Sequence, residues 1–136
     1  MLSRVSKALF SASSRLQCIV KLPTVVNYEL FEKLRNKKEA ILIDVRKPEE
    51  LEELGSIPGA HNIPIHDLDS AFSMSSQAFE SAYNFSKPDE SDAVVMFCYK
   101  GPRAQKASAL LSQKFDFENV SFYSGSYEEW FKNKTS

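Results

Sequence analysis

The chain has 136 residues, 43% of them apolar and 26% charged, and carries a formal charge of −1. That length supports one hydrophobic core and leaves no room for a second large domain, and no uncharged apolar run approaches the roughly 20 residues of a membrane span. The balance is uneven, because four of the 17 cations lie before any acid, leaving 13 against all 18 carboxylates from Thr24 onward, a formal −5. Such a surface does not attract nucleic acid.

Residues 1–23 carry Arg4, Lys7, Arg15 and Lys21, and the first carboxylate is Glu29. Ser3, Ser6, Ser11, Ser13 and Ser14 interleave with these cations, and Leu2, Val5, Leu9 and Phe10 fall near one helical face. This is the composition of an organelle transit peptide, and mitochondrial import, with the matrix as destination, is the first expectation. Ser and Arg interrupt the apolar core that a secretory signal needs. A chloroplast address and a disordered basic tail are the alternatives. Removal of the leader takes Cys18 with it and makes Cys98 the only cysteine, so neither a disulfide nor a Cys-x-x-Cys pair is expected within the chain.

From Thr24 the elements alternate. A short strand over Thr24–Val26 meets Asn27, an N-cap for a helix from Tyr28 to about Lys37 that places Leu30, Phe31 and Leu34 on one face. Ala40–Ile43 reads as a buried strand ending at Asp44-Val45-Arg46, and Pro48-Glu49-Glu50 opens a short acidic helix toward Leu54. Pro58-Gly59 is a turn, and Ala60–Ile65 a short strand stopped by Pro64. Between Asp67 and Asp92 the pattern is weak; Ser75 or Ser76 caps a helix through Phe79 and Tyr83, and Lys87-Pro88-Asp89 forms a loop. A second apolar run, Ala93–Phe97, leads to Cys98; Ala104, Ala107 and Leu111 then mark a helix to about Lys114. Asn119–Tyr123 is the last strand, Ser124-Gly125 turns the chain, and a closing helix packs Trp130 and Phe131, with Tyr123, into the core. Continuous apolar strands separated by helices predict an α/β fold, with a parallel sheet covered on both faces.

Cys98 is the residue on which function turns. It ends a buried strand and opens the basic loop Tyr99-Lys100-Gly101-Pro102-Arg103 just before a helix. Backbone N–H groups, a helix N-terminus and the cations Lys100 and Arg103 converge there, each favouring thiolate over thiol and a sulfur open to an anionic substrate. Gly101 allows the backbone to approach that sulfur without a Cβ. The plainer reading is an inert cysteine at a strand end. Both this loop and Asp44-Val45-Arg46 lie at carboxyl ends of strands, where open α/β sheets place their sites. Arg46 is expected to pair with Glu50 one turn on, and Asp44 to accept N–H bonds from neighbouring loops. His61 and His66, the two histidines, read as surface or edge residues, and no metal or cofactor is expected.

Four stretches carry a family resemblance. They are Asp44-Val45-Arg46-Lys47-Pro48-Glu49-Glu50, then Gly55-Ser56-Ile57-Pro58-Gly59-Ala60-His61-Asn62-Ile63-Pro64, then Cys98 to Arg103, and last Tyr123-Ser124-Gly125-Ser126 leading to Trp130. Together they resemble the rhodanese family of sulfurtransferases over residues 24–134. The resemblance implies a rhodanese-like three-layer fold of about five parallel strands, spanning residues 24–136 as one domain. It also implies a thiosulfate sulfurtransferase with Cys98 carrying the sulfur as a persulfide, Tyr99 to Arg103 holding the donor, and Asp44 and Arg46 ordering the edge of the site. The partners are then a small anionic sulfur donor and a small thiol or cyanide acceptor, with a monomer favoured.

Two other classes compete. Cysteine-dependent phosphatases wrap phosphate with Cys-x5-Arg, whereas Cys98 and Arg103 are separated by four residues, a smaller cradle that suits one sulfur better. A rhodanese-like interaction module, presenting a persulfide or no chemistry, is the second. Against the family pattern, Ser56 replaces a frequent histidine, the Leu51–Gly55 segment is one residue longer, and Tyr99 stands where arginine is frequent. An aromatic wall at position 99 favours a carbon-bound sulfur donor or a thiol acceptor.

Overall fold

A computed structural model describes residues 23–135. The leader expected over 1–23 lies outside the described residues except for Pro23, and so does Cys18. Five strands form one sheet: β1 (Thr24–Val26), β2 (Ile41–Asp44), β3 (Ala60–Asn62), β4 (Val94–Phe97) and β5 (Val120–Tyr123), in the order β1-β5-β4-β2-β3. Every pairing is parallel. Among the described residues six helices accompany the sheet: α1 (Tyr28–Lys37), α2 (Pro48–Leu54), α3 (Leu68–Ser73), α4 (Ser76–Tyr83), α5 (Pro102–Lys114) and, after the last strand, α6 (Ser126–Thr135), with a 3-10 turn over Ile65–Asp67.

Alternation along the central strand divides the core in two. Val94, Met96 and Cys98 face a cluster built with Phe72, Phe79, Ala104, Ala107 and Leu111, under α3, α4 and α5. Val95 and Phe97 face the opposite cluster with Phe31, Tyr123, Tyr127 and Trp130, under α1 and α6. Because both faces of β4 are covered, its sequence is an unbroken apolar run rather than an alternation. Phe31 fixes α1 to the sheet: its ring stacks on Tyr123 at 4.4 Å and meets Phe97 edge-on at 5.6 Å. Asn27 caps α1, its Oδ1 accepting from Leu30 N at 2.9 Å, and Ser75 caps α4, its Oγ accepting from Ala78 N at 3.1 Å.

Several expectations need correction. The strand expected over Ala60–Ile65 ends at Asn62, because Ile63 N turns back to Asp44 O and Ile65 N to Val45 O, after which the chain coils into the 3-10 turn. The weak stretch after Asp67 contains α3 as well as α4. Leu30 is exposed, since the buried stripe of α1 is narrow and centres on Phe31. Phe131 is 48% exposed rather than core, because the buried stripe of α6 runs through Ser126, Tyr127 and Trp130.

Parallel register then brings the two informative loops together. Asp44 pairs with Phe97 in the sheet, and Val45 N donates to Phe97 O at 2.9 Å, so the turn after β2 lies against the loop after β4.

Candidate functional site

Cys98 leaves β4 and the chain wraps around its sulfur. Gly101 N donates to Cys98 Sγ at 3.0 Å, which fixes the loop as a backbone cradle for that atom. Gly101 has φ +119°, and a Cβ there would lie 2.5 Å from Ser124 O, so glycine is required on both conformational and steric grounds. Pro102 follows as the first residue of α5, where its missing N–H costs nothing, and Gln105 N donates to Gly101 O to start the helix.

The turn between β5 and α6 clamps the cradle from the other side. Cys98 N donates to Ser126 Oγ at 3.1 Å, while the Ser126 hydroxyl donates to Tyr123 O at 2.8 Å and lies 3.9 Å from Cys98 Sγ. Tyr127 N donates to Cys98 O and Glu128 N to Tyr99 O. Ser126 is buried with φ +55°, a left-handed conformation that this network holds in place. Sequence reasoning read Ser124-Gly125 as a simple turn and missed Ser126. The signal was its place in Ser-Gly-Ser directly after a strand, which does not reveal a partner 28 residues away.

Cys98 is 1% exposed, and it shares a buried cluster with Val45, Ile63 and Ala104. The open, doubly flanked thiol expected from sequence is thus a recessed one, because the loop folds over the sulfur. The flanking cations also behave differently from each other. Lys100 is exposed and makes no ion pair among the described residues. Arg103 is turned to Glu50, Nη1 donating to Oε1 at 2.7 Å and Nη2 to Oε2 at 3.0 Å. These bonds hold the Glu50 carboxyl well below the usual carboxylate range, at about 2, and raise Arg103 further.

Arg46 does not pair with Glu50. Position 46 precedes α2, which begins at Pro48, so the helical spacing that would join the two does not apply. Its guanidinium turns inward instead, donating from Nε and Nη2 to the Asp44 carboxylate at 2.7–3.0 Å and from Nη2 to Gly55 O at 2.9 Å. It lies over the Tyr127 ring, 4.3 Å from the centroid, and Nη1 is buried without a hydrogen-bond partner. Asp44 also accepts from Arg46 N. Burial pushes its carboxyl up, and the Arg46 bonds oppose that. Asn62 Nδ2 bridges Asp44 O and Arg46 O, and Tyr127 OH donates to Leu54 O at 2.6 Å, so the end of α2 is tied to the same knot.

Tyr99 borders a groove of about 300 Å³ that also includes Leu54, Tyr127 and Phe131. His61 lies on β3, stacked on Phe85 at 3.8 Å, with burial lowering its pKa; His66 is exposed in the 3-10 turn. Neither has a described hydrogen bond to Cys98.

Comparison with known proteins decides the family, because the rhodanese-like domain matches residues 27–133. The chain belongs to the rhodanese-like family. Among rhodanese-like relatives, a human protein named thiosulfate:glutathione sulfurtransferase is 38% identical over 114 residues, covering 83% of this chain and 96% of its own. A Schizosaccharomyces pombe protein, provisionally named a mitochondrial thiosulfate sulfurtransferase, is 34% identical over 130 residues, covering 93% of this chain and 90% of its own. The solved human single-domain sulfurtransferase TSTD1 superposes with a TM-score of 0.75 at 36% identity, covering 82% of this chain and 97% of that one. These likenesses support sulfurtransferase activity for this rhodanese-like chain and agree with the five-stranded parallel sheet described above.

Proposed function

We propose that the protein is a thiosulfate sulfurtransferase that works through a persulfide on Cys98. The observation that carries this reading is the Gly101 N–H aimed at Cys98 Sγ from 3.0 Å, inside a loop clamped by Ser126. A backbone donor at that distance is a ready partner for negative charge on sulfur, before and after transfer.

In the first half-reaction, Cys98 thiolate attacks the outer sulfur of thiosulfate. A new S–S bond forms on Cys98, the S–S bond of the donor breaks, and its electron pair leaves with sulfite. In the second, an acceptor thiolate or cyanide attacks the outer sulfur of the persulfide, and Cys98 departs as thiolate. No external oxidant or reductant is needed. The acceptor comes from solution, since Cys98 is the free cysteine among the described residues. The name of the human relative makes glutathione the first acceptor to test.

Loading is best followed by sulfite release, and transfer by thiocyanate from cyanide or by a persulfide on glutathione. Cys98→Ser abolishes all three in this account. A Cys98→Ser protein that still forms thiocyanate refutes it.

The burial of Cys98 favours a second reading, a rhodanese-like module that binds a partner without turning sulfur over. That module releases no sulfite from thiosulfate. The leader composition supports a mitochondrial reading with the matrix as destination, and the name of the S. pombe relative agrees with the mitochondrial part of it. A fluorescent protein fused behind residues 1–23 and left in the cytosol would overturn that placement.

A further inference from the structure

We propose that Glu50 sets the charge preference for the sulfur donor, by occupying the two-pronged face of Arg103 that an incoming sulfonate would otherwise take. This rests on the reading of Cys98 as the persulfide-forming residue and adds which donors it accepts.

Arg103 is the second residue of α5, immediately beyond the Cys98 loop. Guanidinium recognises a sulfonate as it does a carboxylate, through two parallel N–H donors. Both prongs are already used, by Glu50 Oε1 at 2.7 Å and Oε2 at 3.0 Å. Glu50 is itself anchored, because Oε1 also accepts Lys47 N at 2.9 Å in the first turn of α2. The carboxylate is therefore held beside Arg103 from the first turn of α2, while its ion pair with Arg103 stays partly solvated.

The charges around the sulfur follow from this arrangement. Asp44 with Arg46 and Glu50 with Arg103 make two pairs that cancel, and Lys100 remains as an exposed cation. A dianionic donor meets that lysine and the loop N–H groups, but it also meets the Glu50 carboxylate. The Glu50 and Arg103 side chains are 27% and 35% exposed, so the pair is solvated enough for a competing anion to open it. The penalty scales with donor charge: thiosulfate, a dianion, suffers more than an organic thiosulfonate, a monoanion. Both deliver one sulfur to Cys98, with the electron pair of the broken S–S bond leaving on sulfite or on a sulfinate.

The test is the second-order rate of sulfur loading on Cys98 from thiosulfate and from benzenethiosulfonate. Glu50→Gln keeps the shape and the oxygen that accepts Lys47 N, and removes the charge. It raises the thiosulfate to benzenethiosulfonate rate ratio about three- to tenfold. Arg103→Gln, which leaves Glu50 unpaired beside the loop, lowers that ratio, and the double variant returns it toward the starting value. A general loosening of the loop moves both rates together and leaves the ratio alone. An unchanged ratio in both single variants overturns the role of Glu50 while sulfur transfer stands. Failure of the unmodified protein to load from either donor overturns the transfer reading and this proposal with it.

Discussion

The Asp44–Arg46 and Glu50–Arg103 pairs stand at one edge of the sheet with the same charges and similar distances, but in different media. Arg46 and Asp44 side chains are 0% and 1% exposed, whereas those of Arg103 and Glu50 are 35% and 27% exposed. Burial makes the first pair a fixture, since neither charge can be left alone in the core once its partner is gone. Partial solvation makes the second adjustable, with water able to take over for either partner. A guanidinium–carboxylate pair thus serves as scaffold at one position and as a tunable element at the other.

Removing one partner of the buried pair is the severest way to test this contrast. Arg46→Leu strands the Asp44 carboxylate and is expected to cost about 3–5 kcal/mol in urea unfolding, while removing both charges, as Arg46→Leu with Asp44→Leu, costs less than the single change. A loss below about 1 kcal/mol for Arg46→Leu would put the two pairs in one class.

Next in size is Gly101→Ala, which forces a Cβ to within 2.5 Å of Ser124 O at a backbone φ of +119°. The displaced N–H no longer meets Cys98 Sγ, and loading from thiosulfate is expected to slow about a hundredfold with the fold retained by circular dichroism. Unchanged loading would mean that the cradle is not part of the chemistry.

The pH dependence of the exposed pair is smaller. Glu50 is depressed from 4.5 to about 2 in the folded chain, so its contribution is fully present above about pH 4.5 and is lost as pH falls through 2. The stability difference between the protein and Glu50→Gln is therefore expected to be under about 1 kcal/mol at pH 7 and to shrink between pH 4.5 and 2. A difference that grows on acidification contradicts the assignment.

Smallest is Lys100→Ala, an exposed charge whose loss raises the KM for thiosulfate about two- to fourfold, and less so at high salt, with little change in kcat. Thiosulfate kinetics unaltered at low salt would remove Lys100 from the donor site.

Much of the fold was legible because parallel strands buried on both faces leave an unmistakable mark. Ala93–Phe97 is apolar at every position, and Ala104, Ala107 and Leu111 lie on the buried side of α5 as their spacing requires. α3 was not legible, since six residues give too little periodicity and the helix stands only because Leu68, Ala71 and Phe72 are buried. The Cys98 loop and the Asp44–Arg46 turn were found from their places at strand ends, and the register joins them. The partners of Arg46 and Arg103 were not. Helical spacing points Arg46 at Glu50, and only the burial of Arg46 and the approach of α5 to α2 exchange the partners. Ser126 was hidden for the same reason, its partner lying 28 residues away, and the depth of Cys98 was hidden because the residue types of its own loop do not show that the loop folds over the sulfur.

Sulfur transfer requires the sulfur of Cys98 to accept a second sulfur. Intact-mass spectrometry of the protein after brief incubation with thiosulfate measures that directly. A gain of one sulfur atom, reversed by cyanide and absent in Cys98→Ser, is the predicted result. An unchanged mass in the folded, reduced protein contradicts it.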